Sequence, residues 1–300
     1  MMPKIDLAKT GIAGGMPGTP KFFSAQITAA RRFHMRLRRK RSGRVSVACG
    51  GCERCQPDYQ IHRSTFPYYG VEFVAGGRGY LTIWGERWRL VPGTLFSYGP
   101  GVAHHIVTTA DEPLVKYFVD FTGAAKLLKA IPLTPGSVSQ TSAPAEIMPI
   151  FDELIASGLK NTPQSPHICA ALLEALLMKL AETRMPPGSV ESPAFDTYQR
   201  CRRELDDHAL EIRSLRELAQ RCRVDEAYLC RLFRRFERES PYQRLRRLKM
   251  NHAAARMQVP GTLIKHVATE LGFNDPYHFS RTFKSVFGVS PTRMVRERGR

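Results

Sequence analysis

Two stretches of the chain carry basic side chains at matching helical positions. They are DEAYLCRLFRRF, residues 225–236, and DPYHFSRTFKSVF, residues 275–287. Arg231 and Arg281 each lie two residues after an apolar anchor, Leu229 or Phe279. At that spacing an α-helix turns the arginines away from its apolar side. A guanidinium group placed there can donate two hydrogen bonds to guanine, which predicts base-specific contacts with DNA.

The same two faces supply further candidates for contacts with DNA. The predicted base-contacting residues are Ala227, Cys230, Arg231, Tyr277, Ser280 and Arg281. The predicted phosphate-contacting residues are Arg234, Arg235, Arg244, Arg247 and Lys284. Two other interpretations stay open: ordinary solvated amphipathic helices, or arginines that bind only phosphate and weaken all DNA sequences alike.

Flanking residues predict the elements that position these faces. Asp275 and Pro276 are typical of a helix start, and Gly288 and Pro291 of its end. Each stretch follows a short apolar-periodic segment, and these two segments match at an offset of 49 residues rather than 50. The repeat predicts two helix-turn-helix units, the second with a turn one residue longer.

A basic segment, residues 240–259, joins the two predicted units. As one helix of roughly 19 residues it would span about 28 Å. That length approaches the ~34 Å between successive major grooves on one side of DNA. The two recognition helices are therefore expected to bind neighbouring grooves.

Three cysteines, Cys49, Cys52 and Cys55, have the C-x2-C-x2-C spacing of metal-binding thiolates. No fourth ligand is evident nearby, and the run leads into strand-like sequence. Ordinary cysteines are therefore favoured, and no metal is predicted. The other four cysteines stand singly on predicted helices, which indicates a reducing compartment, the cytoplasm, rather than a disulfide framework.

Residues 57–121 are predicted to form short strands separated by glycine and proline turns, as in a small β-barrel or jelly roll. The predicted strands are residues 69–75, 80–84, 87–90, 94–98, 105–109 and 114–121. Their many aromatic residues could form a barrel core or the stacking faces of a pocket.

Polar groups in and around these strands are candidates for ligand binding: Arg63, His104, His105 and Lys116, together with the aromatic Phe118. The adjacent histidines would point to opposite faces of a strand. The H-x-H pattern of a metal-binding cupin is absent, as are a nucleophile elbow and a phosphate loop. We therefore predict no catalytic residues and no cofactor.

Residues 144–184 are predicted to be helical, with two apolar stripes. The first comprises Ile147, Ile150, Phe151, Leu154 and Ile155, and the second Ile168, Leu172, Leu176, Met178 and Leu180. The second stripe is more apolar than packing on one barrel face requires. Residues 185–195 are predicted to be an interdomain linker between domains at 46–184 and 196–300.

Charge is distributed unevenly along the 300 residues, whose net charge is +18. Residues 195–300 hold 23 basic and 13 acidic side chains, whereas residues 46–194 hold 11 and 13. A basic C-terminal part favours binding to DNA phosphates. No apolar run approaches the ~20 residues of a membrane-spanning helix, so a soluble protein with no membrane partner is predicted.

Residues 1–45, with 11 basic side chains and one acidic, are predicted to be disordered. Three interpretations stay open. A translation start assigned too early would leave Met35 or a nearby site as the true start. A flexible basic arm would add nonspecific affinity for DNA. An arginine-rich, acid-poor transit peptide is the third.

The C-terminal part closely resembles the DNA-binding domain of the AraC/XylS family of bacterial transcription regulators. The resemblance covers about 100 residues and includes the run GF-x5-F-x-R-x-F-K-x3-G-x-SP from Gly272 to Pro291. Met294 departs from the family, which more often has an aromatic residue there. The pattern G-x-G-x-L-x3-G, followed by L-x-PG-x-LF-x-Y-x-PG-x2-HH, resembles the family's cupin-like sensor domain.

The resemblance implies a fold and a mechanism. The expected fold is α+β multidomain: an N-terminal cupin-like β-barrel with C-terminal helices, then an all-α domain with two helix-turn-helix motifs. A small-molecule effector, with sugars the leading class, would bind the barrel and alter domain or subunit arrangement. Arg63 and Lys116 match positions that touch the sugar in arabinose-responsive relatives. Helices after the barrel would form a homodimer, and RNA polymerase would be a partner.

Two functions of other classes also fit the sequence. One is a constitutive DNA-binding protein whose barrel serves only for dimerisation. The other is a metal-dependent cupin enzyme fused to a DNA anchor. Bound metal would favour the enzyme, and an empty pocket that responds to no metabolite would favour the constitutive protein.

Overall fold

The computed structural model describes residues 23–35, 45–123, 128, 133–237 and 239–297. The chain divides into two compact units, Met1–Val190 and Glu191–Arg300, and each is described by itself. Their boundary lies inside the predicted linker, which is shorter than expected. A short strand extends the first unit to Met185, and a helix of the second unit begins at Pro193.

The described part of the first unit contains eleven strands in two antiparallel sheets. The seven-stranded sheet has the order β1-β2-β9-β4-β7-β10-β11, and the four-stranded sheet has the order β3-β8-β5-β6. The six strands predicted between residues 69 and 122 are confirmed, each to within one residue at either end. The strands are β1 (Ile27–His34), β2 (Ser46–Cys55), β3 (Gln60–Arg63), β4 (Tyr69–Gly76), β5 (Gly79–Ile83), β6 (Glu86–Leu90), β7 (Thr94–Tyr98), β8 (His104–Thr108), β9 (Val115–Thr122), β10 (Val138–Thr141) and β11 (Arg184–Met185).

The central strands of the seven-stranded sheet, β2, β9, β4 and β7, are buried on both faces, against different partners. Val74 and Phe96 pack with Leu81 of the four-stranded sheet in one core. Phe73, the neighbour of Val74, points to the other side, where its ring lies 6.4 Å from that of Phe151. Successive side chains of a strand alternate between faces, so β4 and β9 need apolar residues at most positions.

Two helices, α1 (Pro144–Lys160) and α2 (Ser165–Thr183), cover the second face of this sheet near β1 and β2. Their apolar stripes pack as predicted, except that Ile168 and Met178 are 43% and 58% exposed. Helix α1 approaches β1 closely at Gly158, where an added Cβ would clash with the ring of Phe33. A glycine there allows the Phe33 ring into the core.

The prediction that residues 1–45 are disordered is wrong for the residues that form β1. This strand pairs with β2 along its length. Phe33 and Met35 are buried in the core beneath the helices. A chain that began at Met35 would therefore lack an integral strand of the first unit. The rest of that stretch, residues 1–22 and 36–44, lies outside the described residues.

The second unit is helical. The long joining helix, predicted over residues 240–259, begins at the capping box of Ser240 and Gln243 and ends at Arg256, ahead of Pro260 and Gly261. At 16 residues it spans about 24 Å. The helices are α3 (Pro193–His208), α4 (Leu215–Arg221), α5 (Glu226–Phe236), α6 (Pro241–Arg256), α7 (Ile264–Glu270), α8 (Pro276–Phe287) and α9 (Pro291–Glu297).

Each helix-turn-helix pair has its own core, and α6 contributes to the second. Aromatic rings of α3 and α5 pack in the first: the Tyr198 ring lies 5.3 Å from those of Phe233 and Phe236. In the second, Met250 of α6 packs with Phe279 and Phe283 of α8. The predicted pair of helix-turn-helix units is confirmed in the arrangement α4–α5 and α7–α8.

The two turns have matching geometry at the start. Val224 N donates to Ala219 O at 3.0 Å in the first turn, and Phe273 N donates to Ala268 O at 2.9 Å in the second. The residue before each donor has a left-handed backbone: Arg223 with φ 54° and Gly272 with φ 80°. Asn274 is the additional residue of the second turn, as the offset of the repeat predicted.

Candidate functional sites

The recognition helices α5 and α8 bury one face and expose the other. Leu229 and Phe233 are fully buried in α5, and Phe279 and Phe283 in α8. Exposure is high in α8, where Tyr277 is 80% exposed and the Arg281 side chain 78%. All six predicted base-contacting residues lie on the opposite faces: Ala227, Arg231, Tyr277 and Arg281 are exposed, and Cys230 and Ser280 are half-buried.

Aspartates fix the start of both recognition helices. Asp225 accepts a hydrogen bond from Tyr228 N at 2.7 Å, and Asp275 accepts from the second and third amides of α8 at 2.8 and 3.0 Å. Arg231 lies 5.6 Å from the centre of the Tyr228 ring, and Arg281 lies 4.0 Å from Asp275. Such exposed contacts are weak, so both guanidinium groups can turn to DNA.

Arg244 does not fit its predicted role as a phosphate contact. Its guanidinium group donates to both carboxylate oxygens of Asp206, at 2.6 and 2.8 Å, and to Glu237 at 2.8 Å. The side chain is only 12% exposed. Burial works against the charge, but the acidic partners raise the pKa of Arg244 above its ordinary value. Arg244 therefore ties α6 to α3 and to the end of α5, and its assignment is corrected.

The other predicted phosphate contacts remain on the surface. Arg234, Arg235 and Lys284 are exposed. Arg247 is also exposed, and it donates to both oxygens of Glu239 at 3.0 and 2.7 Å. An exposed pair of this kind exchanges readily with solvent and other anions.

A small recess, open to solvent at its mouth, lies in the β-rich unit. It brings together side chains of the seven-stranded sheet and of β3, with the first described residues of the chain at its edge. Of the predicted ligand-binding residues, Arg63, Lys116 and Phe118 line it. The complete lining is Phe23, Ser24, Glu53, Ile61, Arg63, Glu72, Tyr98, Lys116, Phe118 and Asp120.

Lys116 is a buried ammonium group at the centre of the recess. It lies 2.9 Å from Glu72 and 3.2 Å from Glu53, and all three side chains are under 5% exposed. Burial disfavours its charge, but the two carboxylates keep the pKa of Lys116 well above its ordinary value. Its Nζ also lies 5.2 Å from the centre of the Phe118 ring. These contacts place the Phe118 ring and the three charged groups side by side in the lining of the recess.

The adjacent histidines point to opposite faces of β8, as predicted. His104 is buried in the barrel, stacked on Tyr98 with ring centres 4.3 Å apart. Burial lowers the pKa of His104, and its Nδ1 lies 3.3 Å from Val102 O. Nδ1 therefore carries the proton, and Nε2 has no partner among the described residues. His105 lies outside the barrel, 5.4 Å from the ring of His62, and does not join the recess.

Family models match both units of the chain. The AraC-like ligand binding domain matches residues 50–181, which contain most of the recess. A helix-turn-helix domain matches residues 218–297, which contain both recognition helices. The chain belongs to the AraC family of transcription regulators. It is a DNA-binding regulator with a ligand-binding domain.

Three curated relatives align with the chain over most of their length. The chain is 20% identical over 262 residues to the Msm operon regulatory protein of Streptococcus mutans, covering 84% of this chain and 93% of that one. It is 23% identical over 245 residues to the MmsAB operon regulatory protein of Pseudomonas aeruginosa, covering 78% and 77%. It is 20% identical over 251 residues to the lactose operon transcription activator of Staphylococcus xylosus, covering 82% and 90%.

The cysteine run of this AraC-family chain does not form a metal site. Cys49 and Cys55 point into the barrel and Cys52 to the helix side of β2, so the three thiols do not converge. Burial raises the pKa of the Cys52 and Cys55 thiols to about 12, which disfavours the thiolate that a metal requires. Strand β2, which carries all three cysteines, lies in the interior of the seven-stranded sheet between β1 and β9.

The acidic half of the recess escaped the sequence prediction. Glu72 and Asp120 each stand alone in an apolar run, in GVEFVA of β4 and YFVDFT of β9. A single carboxylate in an otherwise apolar strand has to be paired or protonated inside a protein. Lys116 is predicted as a site residue because it is a charged residue in an apolar strand. The same criterion, extended to acidic residues, predicts Glu72 and Asp120.

None of the helices in the described part of this AraC-family protein combines the length and apolar character needed to cross a bilayer.

Proposed function

We propose that this regulator binds an asymmetric DNA element through two unlike recognition helices and responds to a sugar bound in the recess. The observation that carries the DNA part is the pair of helix-turn-helix units with an exposed arginine at the same place in each, Arg231 and Arg281. Their neighbours differ, with Ala227 in α5 where α8 has Tyr277. The two half-sites are therefore expected to differ in base sequence.

The sugar proposal rests on the chemistry of the recess. Carboxylates accept hydrogen bonds from hydroxyl groups, and Arg63 and Lys116 donate them. Phe23 and Phe118 offer aromatic faces for the C–H side of a sugar ring. The name of the lactose-operon relative supports the same class of effector.

The regulator is proposed to act as a cytoplasmic homodimer that recruits RNA polymerase. Helix α2 exposes Ile168 and Met178 on the face that the barrel leaves uncovered. Burying these side chains against α2 of a second copy would remove apolar surface from water.

A thermal-shift screen of the full chain against neutral sugars tests the effector. We expect one or a few sugars to raise the melting temperature, and Arg63→Ala to abolish that rise. Arg87→Ala is the matched control, because Arg87 is exposed and lies over Tyr80 at 3.9 Å rather than in the recess. If no sugar shifts the melting temperature, the sugar proposal is wrong; if no other metabolite does so either, a barrel that serves only dimerisation is favoured. A shift with divalent metal would favour the cupin enzyme.

A further inference from the structure

One tyrosine hydroxyl lies between two buried carboxyl groups in the recess. Tyr98 Oη is 3.0 Å from Glu72 Oε1 and 3.1 Å from Asp120 Oδ1. All three residues are at most 2% exposed. A phenol has a single hydrogen to donate. The second carboxyl oxygen at hydrogen-bond distance therefore needs a proton of its own, because two bare acceptors would repel each other.

Glu72 is the carboxyl group that stays ionised. Lys116 Nζ donates to its Oε2 at 2.9 Å. Burial opposes the charge of Glu72, but Lys116 and Arg63 together hold its pKa below the ordinary value. The Tyr98 hydroxyl therefore donates to Glu72, and its oxygen remains free to accept.

Asp120 is the carboxyl group that holds the proton. Burial raises the pKa of Asp120 to about 7, and the nearby Glu72 adds to the shift, against opposing contributions from Cys49, Arg63 and Tyr98. Its second oxygen accepts from the Cys49 thiol at 3.1 Å. Oδ1 of the protonated acid can then donate to Tyr98 Oη, which completes a chain of satisfied hydrogen bonds from Cys49 to Glu72.

Groups on every neighbouring strand bear on this assignment. Lys116 and Glu72 stay charged as a pair, and burial keeps His104 neutral and the Cys49 thiol protonated, since it lowers the pKa of the first and raises that of the second. Asp120 is therefore the group expected to change charge near neutral pH. The facing groups are Cys49 and Glu53 on β2, Arg63 on β3, Glu72 on β4, Tyr98 on β7, His104 on β8 and Lys116 on β9.

We propose that Asp120 is a neutral carboxylic acid in the ligand-free protein and that its proton determines the charge of the effector site. The inference deepens the proposed function, since it concerns the same recess. With Asp120 neutral, the carboxylates Glu53 and Glu72 face the cations Arg63 and Lys116. Loss of its proton adds a third negative charge, so the charge that a ligand can bring is set by pH.

Infrared spectroscopy of the full chain tests the proton directly. We expect a carbonyl stretch of a buried carboxylic acid at about pH 5, lost as the pH rises through about 7 and absent in Asp120→Asn. Tyr98→Phe removes the acceptor of this proton, so the band is expected to shift in frequency rather than vanish. A merely structural role of Tyr98 would leave the frequency unchanged.

Thermal unfolding gives a second measurement. The native pKa of Asp120 is raised above its value in the unfolded chain, so its contribution to stability is complete at low pH and is lost as the pH rises towards about 7. We expect Asp120→Asn, whose amide can still donate to Tyr98, to remove this part of the pH dependence. Glu72→Gln is the contrast, because it leaves Lys116 short of a partner and lowers the melting temperature at every pH.

Absence of the acid band below pH 7, or a band that survives Asp120→Asn, would overturn the proposal. So would equal pH dependence of unfolding in the wild type and Asp120→Asn. These outcomes are independent of the sugar screen, because neither measurement uses a ligand.

Discussion

The two helix-turn-helix units share one design but are held together differently. In the first, Arg221 pairs with Glu204, Glu211 and Glu217, and Arg244 closes a second group with Asp206 and Glu237. In the second, the contacts between side chains of opposite charge include Glu270 with Arg256 at 3.4 Å and Arg281 with Asp275 at 4.0 Å. The first helix-turn-helix unit is therefore expected to be the more stable of the two.

The start of the first helix in each helix-turn-helix unit also favours the first unit, because only α4 has a side-chain cap. Ser214 accepts a hydrogen bond from Glu217 N at the start of α4. At the equivalent place before α7 stands Leu263, which offers no side-chain cap and is 49% exposed. The second helix-turn-helix unit is thus expected to be the less stable of the two.

The largest expected change in stability comes from breaking the Arg244 ion group beside the first helix-turn-helix unit. Arg244→Ala removes three hydrogen bonds to Asp206 and Glu237 and leaves these carboxylates with the 3.8 Å contacts to Arg202, so it should lower the free energy of unfolding by about 2–3 kcal/mol. Arg247→Ala is the matched control, since it breaks an exposed pair and should cost less than ~1 kcal/mol. Urea unfolding of both variants measures the difference. Equal losses would mean that the Arg244 ion group stabilises the protein no more than an exposed pair does.

The recognition arginines test whether the two units bind unlike half-sites. Arg231→Ala should relax base preference in one half of the element and Arg281→Ala in the other, each at a cost of about 1–3 kcal/mol of discrimination. Selection from randomised DNA with the wild type and each variant locates the affected positions. A uniform loss of affinity, with no base position relaxed, would show that both arginines hold only the backbone.

Substitutions at the helix caps should reduce the difference in stability between the two helix-turn-helix units. Leu263→Ser is expected to stabilise the second unit and Ser214→Ala to destabilise the first, each by about 1 kcal/mol. Hydrogen exchange of amides in α7 and α4 reports the two effects separately. If Leu263→Ser leaves α7 unprotected, the looseness of the second unit has another origin.

The smallest expected effect concerns the left-handed residue in each turn. Arg223→Gly should stabilise the first turn by less than ~1 kcal/mol, because relief of side-chain strain is offset by the greater freedom of glycine in the unfolded chain. Gly272→Ala should be destabilising by a comparable amount or more. Melting temperatures of the two variants, compared with the wild type, give the signs.

The sequence predicted the elements whose signal is local. Strands β4 to β9 were found because turn residues separate them, and the helical repeat because its anchors recur. Strand β1 was missed because its arginines resemble a basic arm. Arg31 lies 3.2 Å from Asp152, and Arg32 lies 3.2 Å from Glu53. These partners are far away in sequence, so no local periodicity predicts the pairs.

The recess was half predicted for a related reason. The cations were predicted from their positions in apolar strands. The acids that neutralise them lie on other strands, and they contact the cations only once the sheet has folded. Likewise, Arg244 looks like its exposed neighbours on a helix. Its burial depends on where Asp206 of α3 comes to lie, which one helix cannot reveal.

The joining helix α6 has a consequence for how such regulators can diverge. Leu245 and Met250 are buried on α6, and Met250 belongs to the core around α8. One residue inserted between them would rotate everything downstream by about 100° and advance it by about 1.5 Å. If Arg231 and Arg281 bind neighbouring grooves as proposed, Arg281 would then point away from its groove. On that proposal the spacing between half-sites cannot change one base pair at a time through this helix, because only insertions close to whole helical turns keep both recognition helices on the same side of the DNA.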